Sequence, residues 1–261
     1  MSAPGQRGSS PIEKAMPWLT GAVALLLWEA MCHALAVPIF ILPPPTAVAA
    51  SLMKYRWPIA EAALFTLATT VAGFALAVLL GLALGVLIGV SRLAYAGLYP
   101  LLVGFNSVPK VAVVPVLIIW FGAGAIPAVI TAFLISFFPI AVNVATGIAT
   151  VEPELRDVLR ALGARRSDIL LKVGIPRSLP YFFASLKVAI TLAFVGAVVA
   201  ETAAGNDGVG ALMMSASARL DVPLVFAGLV VIAALGIAMY ALCALAERRF
   251  TFWAQRGDVF G

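Results

Sequence analysis

Charged residues are scarce in this sequence. Asp, Glu, Lys and Arg make up 11% of its 261 residues, while 63% are hydrophobic and the mean hydropathy is +1.08. A soluble domain has about 25% charged and about 45–50% apolar residues. Because no soluble core hides so much apolar surface, the composition excludes an ordinary soluble domain and predicts that lipid surrounds much of the chain.

Histidine and cysteine are also nearly absent, with one histidine and two cysteines in the whole chain. Neither a CxxC nor an HExxH spacing occurs, so we expect no metal site and no bound cofactor. Cys32 and Cys243 fall in the first and last apolar runs, which the topology derived below places near opposite faces of the bilayer. A disulfide needs Cα atoms within about 7 Å, so both are expected to be free, buried thiols.

Long apolar runs, by contrast, are abundant. A helix that spans a bilayer takes about 20 apolar residues, with a range of about 17–25. Six runs qualify: Pro17–Ala36, Ala62–Val90, Ala96–Phe121, Ile126–Val151, Pro180–Ala204 and Val222–Ala246. They predict an all-α, polytopic membrane protein with six transmembrane helices over residues 17–250, between a disordered N-terminus (1–16) and a tail (251–261). Pro109 and Pro115 interrupt the third run, which is therefore expected to be broken or kinked.

The basic residues predict the orientation of the chain. With the N-terminus in the cytoplasm, three of them lie in external loops (Lys54, Arg56 and Arg219) and twelve lie in cytoplasmic segments. These twelve are Arg7, Lys14, Arg92, Arg156, Arg160, Arg165, Arg166, Lys172, Arg177, Arg248, Arg249 and Arg256. Cytoplasmic loops are enriched in Lys and Arg, so we expect both termini inside. Because no polar face interleaves these residues with aromatics, the net charge of +5 does not indicate nucleic-acid binding.

Glycines at a spacing of four predict a close helix contact. Gly81, Gly85 and Gly89 form a small-residue ladder in the second run, and Gly73 lies earlier in the same helix. Such ladders let helix backbones approach where lipid gives no hydrophobic drive for association. A phosphate loop is the alternative, but no GxxxxGK[ST] sequence follows.

The segment "LPPPTAV" (42–48) predicts a proline-stiffened turn on the external side. Thr46 is expected to cap a short amphipathic helix over Val48–Tyr55.

The densest charge cluster lies between the fourth and fifth runs, over residues 152–176. Acids precede bases in "EPELRDVLRALGARR", which suits a helix macrodipole, and apolar residues recur at helical spacing on one face (Leu155, Val158, Leu159 and Leu162). Gly163 is expected to end or bend this helix, with positive φ. A second short helix is expected to start with Ser167 as N-cap and to be closed by Pro176. The apolar stripe favours a docking partner, although a loop whose charge only sets topology remains the alternative.

This spacing resembles the signature loop of permease subunits of ABC importers, which reads Glu-Ala-Ala, three residues, Gly, nine residues, Ile-x-Leu-Pro. Asp157-Val158-Leu159 stands where Glu-Ala-Ala would, followed by Gly163 and by Val173-Gly174-Ile175-Pro176. "LPPPTAV", "VPKVAVVPVLIIWFGAG" (108–124) and "AVVAETAAGNDGVGALM" (197–213) are similar to the nitrate/sulfonate/taurine branch of that family.

The resemblance implies the type I importer permease fold, with five core helices and one peripheral helix. It implies a dimer of permeases, expected to be a homodimer, two cytoplasmic ATPase subunits and a periplasmic binding protein. Residues 152–166 would form the coupling helix, and Asp157, Leu159, Leu162, Gly163, Ala164 and Pro176 would carry the ATPase contact. No Walker motif occurs in the chain, so ATP hydrolysis is assigned to the separate subunit and this chain is not expected to be an enzyme.

Ionisable residues inside the apolar runs are candidates for the translocation path. Glu201, towards the outer end of the fifth helix, either lines the outer gate or is an interfacial carboxylate that caps a turn. Lys110, between the two prolines of the third run, either attracts an anionic substrate or satisfies backbone carbonyls freed there. Glu29 and His33 share a helix face, and Trp28-Glu29 is interpreted as a structural anchor of the peripheral helix.

Two other classes of membrane protein have sequence features that differ from these. A secondary transporter predicts an internal repeat and charged relays within helices, and a membrane enzyme predicts a histidine-rich or metal-ligand set; the sequence shows neither. The substrate is not encoded here, because the binding protein selects it. The resemblance implies an oxyanion such as nitrate, a sulfonate or taurine, with pyrimidine precursors and aromatic acids as alternatives.

Overall fold

The computed structural model describes residues 11–149 and 158–251, and within those ranges every regular element is helical. The helices are α1 (Pro11–Ala34), α2 (Pro45–Lys54), α3 (Arg56–Val90), α4 (Arg92–Ser107), a 3₁₀ turn (Lys110–Val113), α5 (Val114–Phe121), α6 (Ala125–Ala149), α7 (Arg166–Ile169), a π turn (Leu170–Gly174), α8 (Ile175–Ala204), α9 (Val209–Ala218) and α10 (Val222–Phe250). Within these described ranges, five helical stretches are long and apolar enough to cross a membrane, and α4 with α5 makes a sixth span if this bent pair counts as one.

The third predicted span is broken where the prolines predicted a break. α4 ends at Ser107, a 3₁₀ turn follows Pro109, and α5 leaves at 77° to α4. Pro115 lies in the first turn of α5, where its missing N–H removes no hydrogen bond. The break therefore coincides with Pro109, while Pro115 starts the second half.

Most helices begin earlier than the apolar runs predicted. α1 starts at Pro11 rather than at residue 17, so residues 11–16, expected to be disordered, are helical. α3 starts at Arg56 and α8 at Ile175, each several residues before its apolar run. A run of apolar residues ends at the first charges, whereas a helix continues through them because its backbone groups still need partners near the membrane surface.

The core of the bundle is formed by α3, α6 and α8. Ala77, Ile140 and Ala189, one from each helix, are all fully buried in one cluster. The glycine ladder of α3 faces α6, and an added Cβ would meet α6 atoms 2.6–2.9 Å away at each of Gly73, Gly81, Gly85 and Gly89. The predicted small-residue contact is therefore confirmed, and it lets α3 lie closer to α6 than any side chain would allow.

The short helices α2 and α9 lie at one end of the bundle, here called the α2 end. Val48 of α2, Ile59 of α3, Ala216 of α9 and Leu224 of α10 pack in one buried cluster there. The Gly163 turn, α7 and the start of α8 lie at the other end, here called the Gly163 end, where Phe183 stacks on Phe250 at 5.6 Å.

The peripheral helix α1 is held at the α2 end by Glu29. Its Oε2 accepts the Thr46 N–H at 3.0 Å, its Oε1 accepts the Thr46 hydroxyl at 2.8 Å, and His33 Nε2 lies 2.9 Å from Oε1. Thr46 is thus the second residue of α2 and not its N-cap, a position that Pro44 occupies. The expectation for Thr46 was wrong because a carboxylate from a neighbouring helix supplies the cap.

Candidate functional site

Gly163 ends the helical residues 158–161 with a hydrogen-bonded left-handed turn. Its φ is +85°, its N–H donates to Arg160 O at 2.9 Å, and the Ala164 N–H donates to Leu159 O at 2.9 Å. These two bonds form a Schellman motif, the ordinary way in which glycine terminates a helix. The predicted bend and its positive φ are confirmed, and they give the segment a fixed shape at Gly163.

The second short helix, α7, starts two residues earlier than expected, since its N-cap is Arg165 and not Ser167. The Arg165 N–H donates to Asp168 Oδ2 at 3.1 Å, and Arg165 O accepts the Ile169 N–H at 3.1 Å. Arg165 therefore occupies the N-cap position, and the carboxylate three residues on satisfies its N–H, as in half of a capping box. Ser167 lies inside the helix, so its assignment as N-cap was wrong.

Pro176 does not close the second short helix, as was expected, but lies inside a helical stretch that continues past it. α7 continues through the π turn (Leu170–Gly174) directly into α8, whose first turn contains Pro176. A proline in a continuous helix removes one hydrogen bond and clashes with the carbonyl four residues earlier, here that of Lys172. Because Lys172 lies in the π turn, the wider turn takes up this mismatch and the helix does not end.

The Gly163 end exposes apolar side chains amid its charges. Leu162 is 78% exposed and Val158 is 56% exposed, while Leu159 is half-buried. An added Cβ at Gly163 would meet no atom of the described residues within 4 Å. The remaining part of the predicted coupling helix, including Asp157 and Leu155, lies outside the described residues. Exposed leucines among arginines are the surface that a protein partner would cover.

Glu201 lies in a buried polar site between α8, α3 and the start of α9. The residue is 2% exposed. Its Oε2 accepts the Thr66 hydroxyl at 2.9 Å and the Gly210 N–H at 3.0 Å, and the Val209 N–H donates to Thr66 Oγ1 at 2.9 Å. The carboxylate thus caps the N-terminus of α9, but from a buried position instead of an interfacial one.

The glycines after Glu201 leave room for its side chain. Gly208 has a φ of +97°, and a Cβ there would collide with the Glu201 carboxyl group. A Cβ at Gly210 would lie 2.8 Å from Glu201 Cβ, and one at Gly205 would lie 2.6 Å from Glu201 O. The sequence "GNDGVG" is therefore the loop that wraps a buried glutamate.

Lys110 lies at the break between α4 and α5. Its Nζ donates to Asn106 O at 2.9 Å and to Asn106 Oδ1 at 2.7 Å. The ammonium therefore satisfies a carbonyl at the end of α4, which is one of the two roles that the sequence left open. The structure separates the candidate residues into the Gly163 end, this break and the Glu201 site.

Sequence comparison assigns this arrangement to a family. The profile of the family described as "Binding-protein-dependent transport system inner membrane component" matches residues 77–252. The chain belongs to this family. As an ABC importer permease it is a non-catalytic subunit of the inner membrane, and it works with an ATPase and a binding protein.

The permease has relatives with different named substrates. It is 35% identical to the riboflavin transport system permease protein RibX of Chloroflexus aurantiacus, over 90% of this chain and 88% of the relative. It is 29% identical to the putative aliphatic sulfonates transport permease protein SsuC of Bacillus subtilis, over 93% and 90%. A chain of the inward-facing MetNI methionine ABC transporter has the same fold, with a TM-score of 0.63, 21% identity and coverage of 76% and 98%.

Two polar contacts of the permease were not found from the sequence. Thr66, fully buried in α3, gave no signal because threonines occur in many apolar helices. Lys187 of α8 pairs with Glu247 of α10 at 2.6 Å, with 24% and 17% of the side chains exposed. An isolated lysine within an apolar run was the available signal, since intramembrane charges usually have a partner.

Proposed function

We propose that this permease forms, as a homodimer with two ATPase subunits, the translocation path for a small anion such as nitrate, a sulfonate or taurine. A periplasmic binding protein delivers the solute, and both termini lie in the cytoplasm. The single observation that carries the proposal is the Gly163 end, where a fixed turn presents the exposed side chains of Leu162 and Val158 among basic residues. Family membership supplies the partner that such a surface needs.

The coupling contact is proposed to involve Asp157, Leu159, Leu162, Gly163, Ala164 and Pro176. Support comes from Leu162, which is 78% exposed on a helix end whose geometry is set by the Schellman motif. Burial of one leucine side chain is worth about 1.5–3 kcal/mol, so a few such residues suffice to bind the Gly163 end in a groove of the ATPase. α7 and the π turn connect the Gly163 turn to Pro176 and the rest of α8 as one uninterrupted helical stretch.

Substitutions at Leu162 and Gly163 test the coupling contact. Leu162→Asp places a charge where an apolar contact is proposed, and Gly163→Val strains a backbone at positive φ. Both should reduce the ATPase recovered with tagged permease from detergent, while the permease still inserts. Gly163→Asn is the matched control, because Asn tolerates the left-handed conformation, and Arg165→Gln should also be mild. Recovery at the unmodified level from Leu162→Asp and Gly163→Val would refute the contact.

The anion is proposed from Lys110 and from the sulfonate relative. The Lys110 ammonium lies at the only bend between two halves of a span that the described residues contain, a position where a cation attracts anions on a path. The test is to identify the cognate binding protein and to measure its affinity for nitrate, alkanesulfonates, taurine and riboflavin. Affinity for riboflavin alone would show that the path carries a neutral aromatic solute.

Glu201 is proposed to belong to the outer gate of the path. Its buried bonds to α3 and α9 support this, since they join two spans to a short helix at the α2 end. Glu201→Gln should lower uptake while leaving ATPase assembly intact. Unchanged uptake would reduce Glu201 to a structural carboxylate.

A further inference from the structure

The first two N–H groups of α9 are bonded by side chains of two long helices. The Val209 N–H donates to Thr66 of α3, and the Gly210 N–H donates to Glu201 of α8. Thr66 also donates to Glu201 Oε2 at 2.9 Å, so the three helices share one small network. α9 itself is only ten residues long, and this network fixes where it begins.

This network is costly for a contact that only stabilises the fold. Among the residues that the structure describes, none bonds the buried Glu201 Oε1, and a buried carboxylate with an unsatisfied oxygen loses stability relative to an apolar contact. Thr66 also contacts Ala62 O within its own helix at 3.1 Å, so its single hydroxyl proton is shared between that carbonyl and Glu201. Thr131 shows the less costly arrangement: it is as buried as Thr66, and among the described residues its hydroxyl bonds Pro127 O of its own helix alone. A network with one unsatisfied oxygen suits a contact that opens, because breaking it costs less free energy than breaking a fully hydrogen-bonded one.

Residues with positive φ lie on both sides of α9. Gly208, just before it, has a φ of +97°, and Leu220, just after it, has a φ of +58°. Left-handed residues at both ends mark sharp changes of chain direction. α9 is therefore joined to α8 and α10 through turns, and the network with Thr66 and Glu201 supplies polar contacts that hold its N-terminus.

We propose that Thr66, Glu201 and the N-terminus of α9 form a latch that is closed in this structure and opens during each transport cycle. Thr66 is a positioning residue that holds Glu201 Oε2 and the Val209 N–H together, and α9 is the element that moves. This inference rests on the proposed gate role of Glu201 and extends it by naming the moving helix and a second residue.

Hydrogen exchange of the purified permease tests the closed latch without any partner. Thr66→Val keeps the shape of the side chain but removes its bonds to Glu201 and to the Val209 N–H. Only the second bond protects an amide of the peptide 205–212, so exchange there should become roughly three- to tenfold faster, as expected for one lost hydrogen bond. Thr66→Ser should restore the slow exchange. Thr131→Val is the matched control and should leave this peptide unchanged. Equal exchange in Thr66→Val and the unmodified permease would overturn the latch.

A reversible disulfide tests whether the latch must open. With 2.9 Å between Thr66 Oγ1 and the Val209 N–H, bond geometry keeps the two Cα atoms within about 7 Å, close to the range of disulfides. The pair Thr66→Cys and Val209→Cys is combined with Cys32→Ser and Cys243→Ser. ATP hydrolysis of the complex, stimulated by the binding protein, should fall to background on oxidation and return on reduction.

Each single-cysteine variant is the control for that measurement and should not respond to oxidation. Full activity of the oxidised pair, with the disulfide confirmed by mass spectrometry, would show that the contact is static and overturn the proposal. If no ATPase is recovered with the unmodified permease, the proposed function fails instead. The exchange measurement still decides whether Thr66 holds α9.

Discussion

Replacement of Gly73 by alanine is the most direct test of the packing between α3 and α6. A Cβ at Gly73 would lie 2.6 Å from Ala132 Cβ and 2.6 Å from Val129 O, whereas ordinary contact begins near 3.4 Å. Neither atom is the end of a flexible side chain, so a change of rotamer cannot relieve the clash. The two helices must separate locally by a large fraction of an ångström, and the tight packing around them resists this.

The expected size of the effect combines two opposing terms. Overpacking of a well-packed core costs about 1–3 kcal/mol, while alanine gains up to about 1 kcal/mol over glycine in helix propensity. Because neither clashing atom can rotate away, overpacking here belongs to the upper part of that range, about 2–3 kcal/mol, and the net loss is then about 1–2 kcal/mol. In a domain of this size each kcal/mol shifts Tm by about 2–4 °C, so Gly73→Ala should lower Tm by roughly 2–8 °C.

The assay is thermal unfolding of the purified permease in detergent, with matched alanine variants. Gly21 of α1 and Gly97 of α4 have no atom within 4 Å of an added Cβ, so alanine there should leave Tm unchanged or raise it slightly. Gly81→Ala should fall between, because the first atom it meets is the Cγ2 methyl of Ile140 at 2.9 Å. A Tm for Gly73→Ala equal to that for Gly97→Ala would refute the close contact.

Three further predictions concern other parts of the chain. Lys187→Met or Glu247→Gln alone should lower Tm, because each leaves a half-buried charge without its partner. The exchanged pair Lys187→Glu with Glu247→Lys should recover part of the loss. A Tm of the single variants equal to that of the unmodified permease would show that the pair is dispensable. Glu29→Ala should speed proteolytic cleavage in the loop 35–44, because α2 loses its cap; an unchanged rate would contradict that role. A reporter fused after Gly261 should read cytoplasmic and one inserted at Asp207 periplasmic, and the opposite result would invert the topology.

Features that depend on neighbours along the chain could be predicted from the sequence. The glycine spacing in α3, the break at Pro109 and the left-handed turn at Gly163 each follow from the conformational preferences of one or a few adjacent residues. The structure has all three.

Features that depend on which helix faces which could not be predicted. The cap of α2 comes from Glu29, 17 residues away, and the partner of Glu201 on α3 lies 135 residues away. A residue type does not reveal such a partner without the packing. The prediction that Pro176 closes a helix was wrong for a related reason, since a π turn just before it lets the helix continue through the proline.

The 135 residues between Thr66 and Glu201 also matter for biosynthesis. At about 5–20 residues per second, Thr66 waits roughly 7–27 s in the nascent chain before its carboxylate partner is made. During that interval its hydroxyl has a partner within its own helix, the Ala62 carbonyl at 3.1 Å, so α3 can enter lipid without an orphaned donor. Glu201 has no such provisional partner among its side-chain bonds, since both come from other elements. The order of translation therefore presents the self-sufficient residue first and the dependent one after its partner on α3 exists, while the Gly210 N–H follows nine residues later.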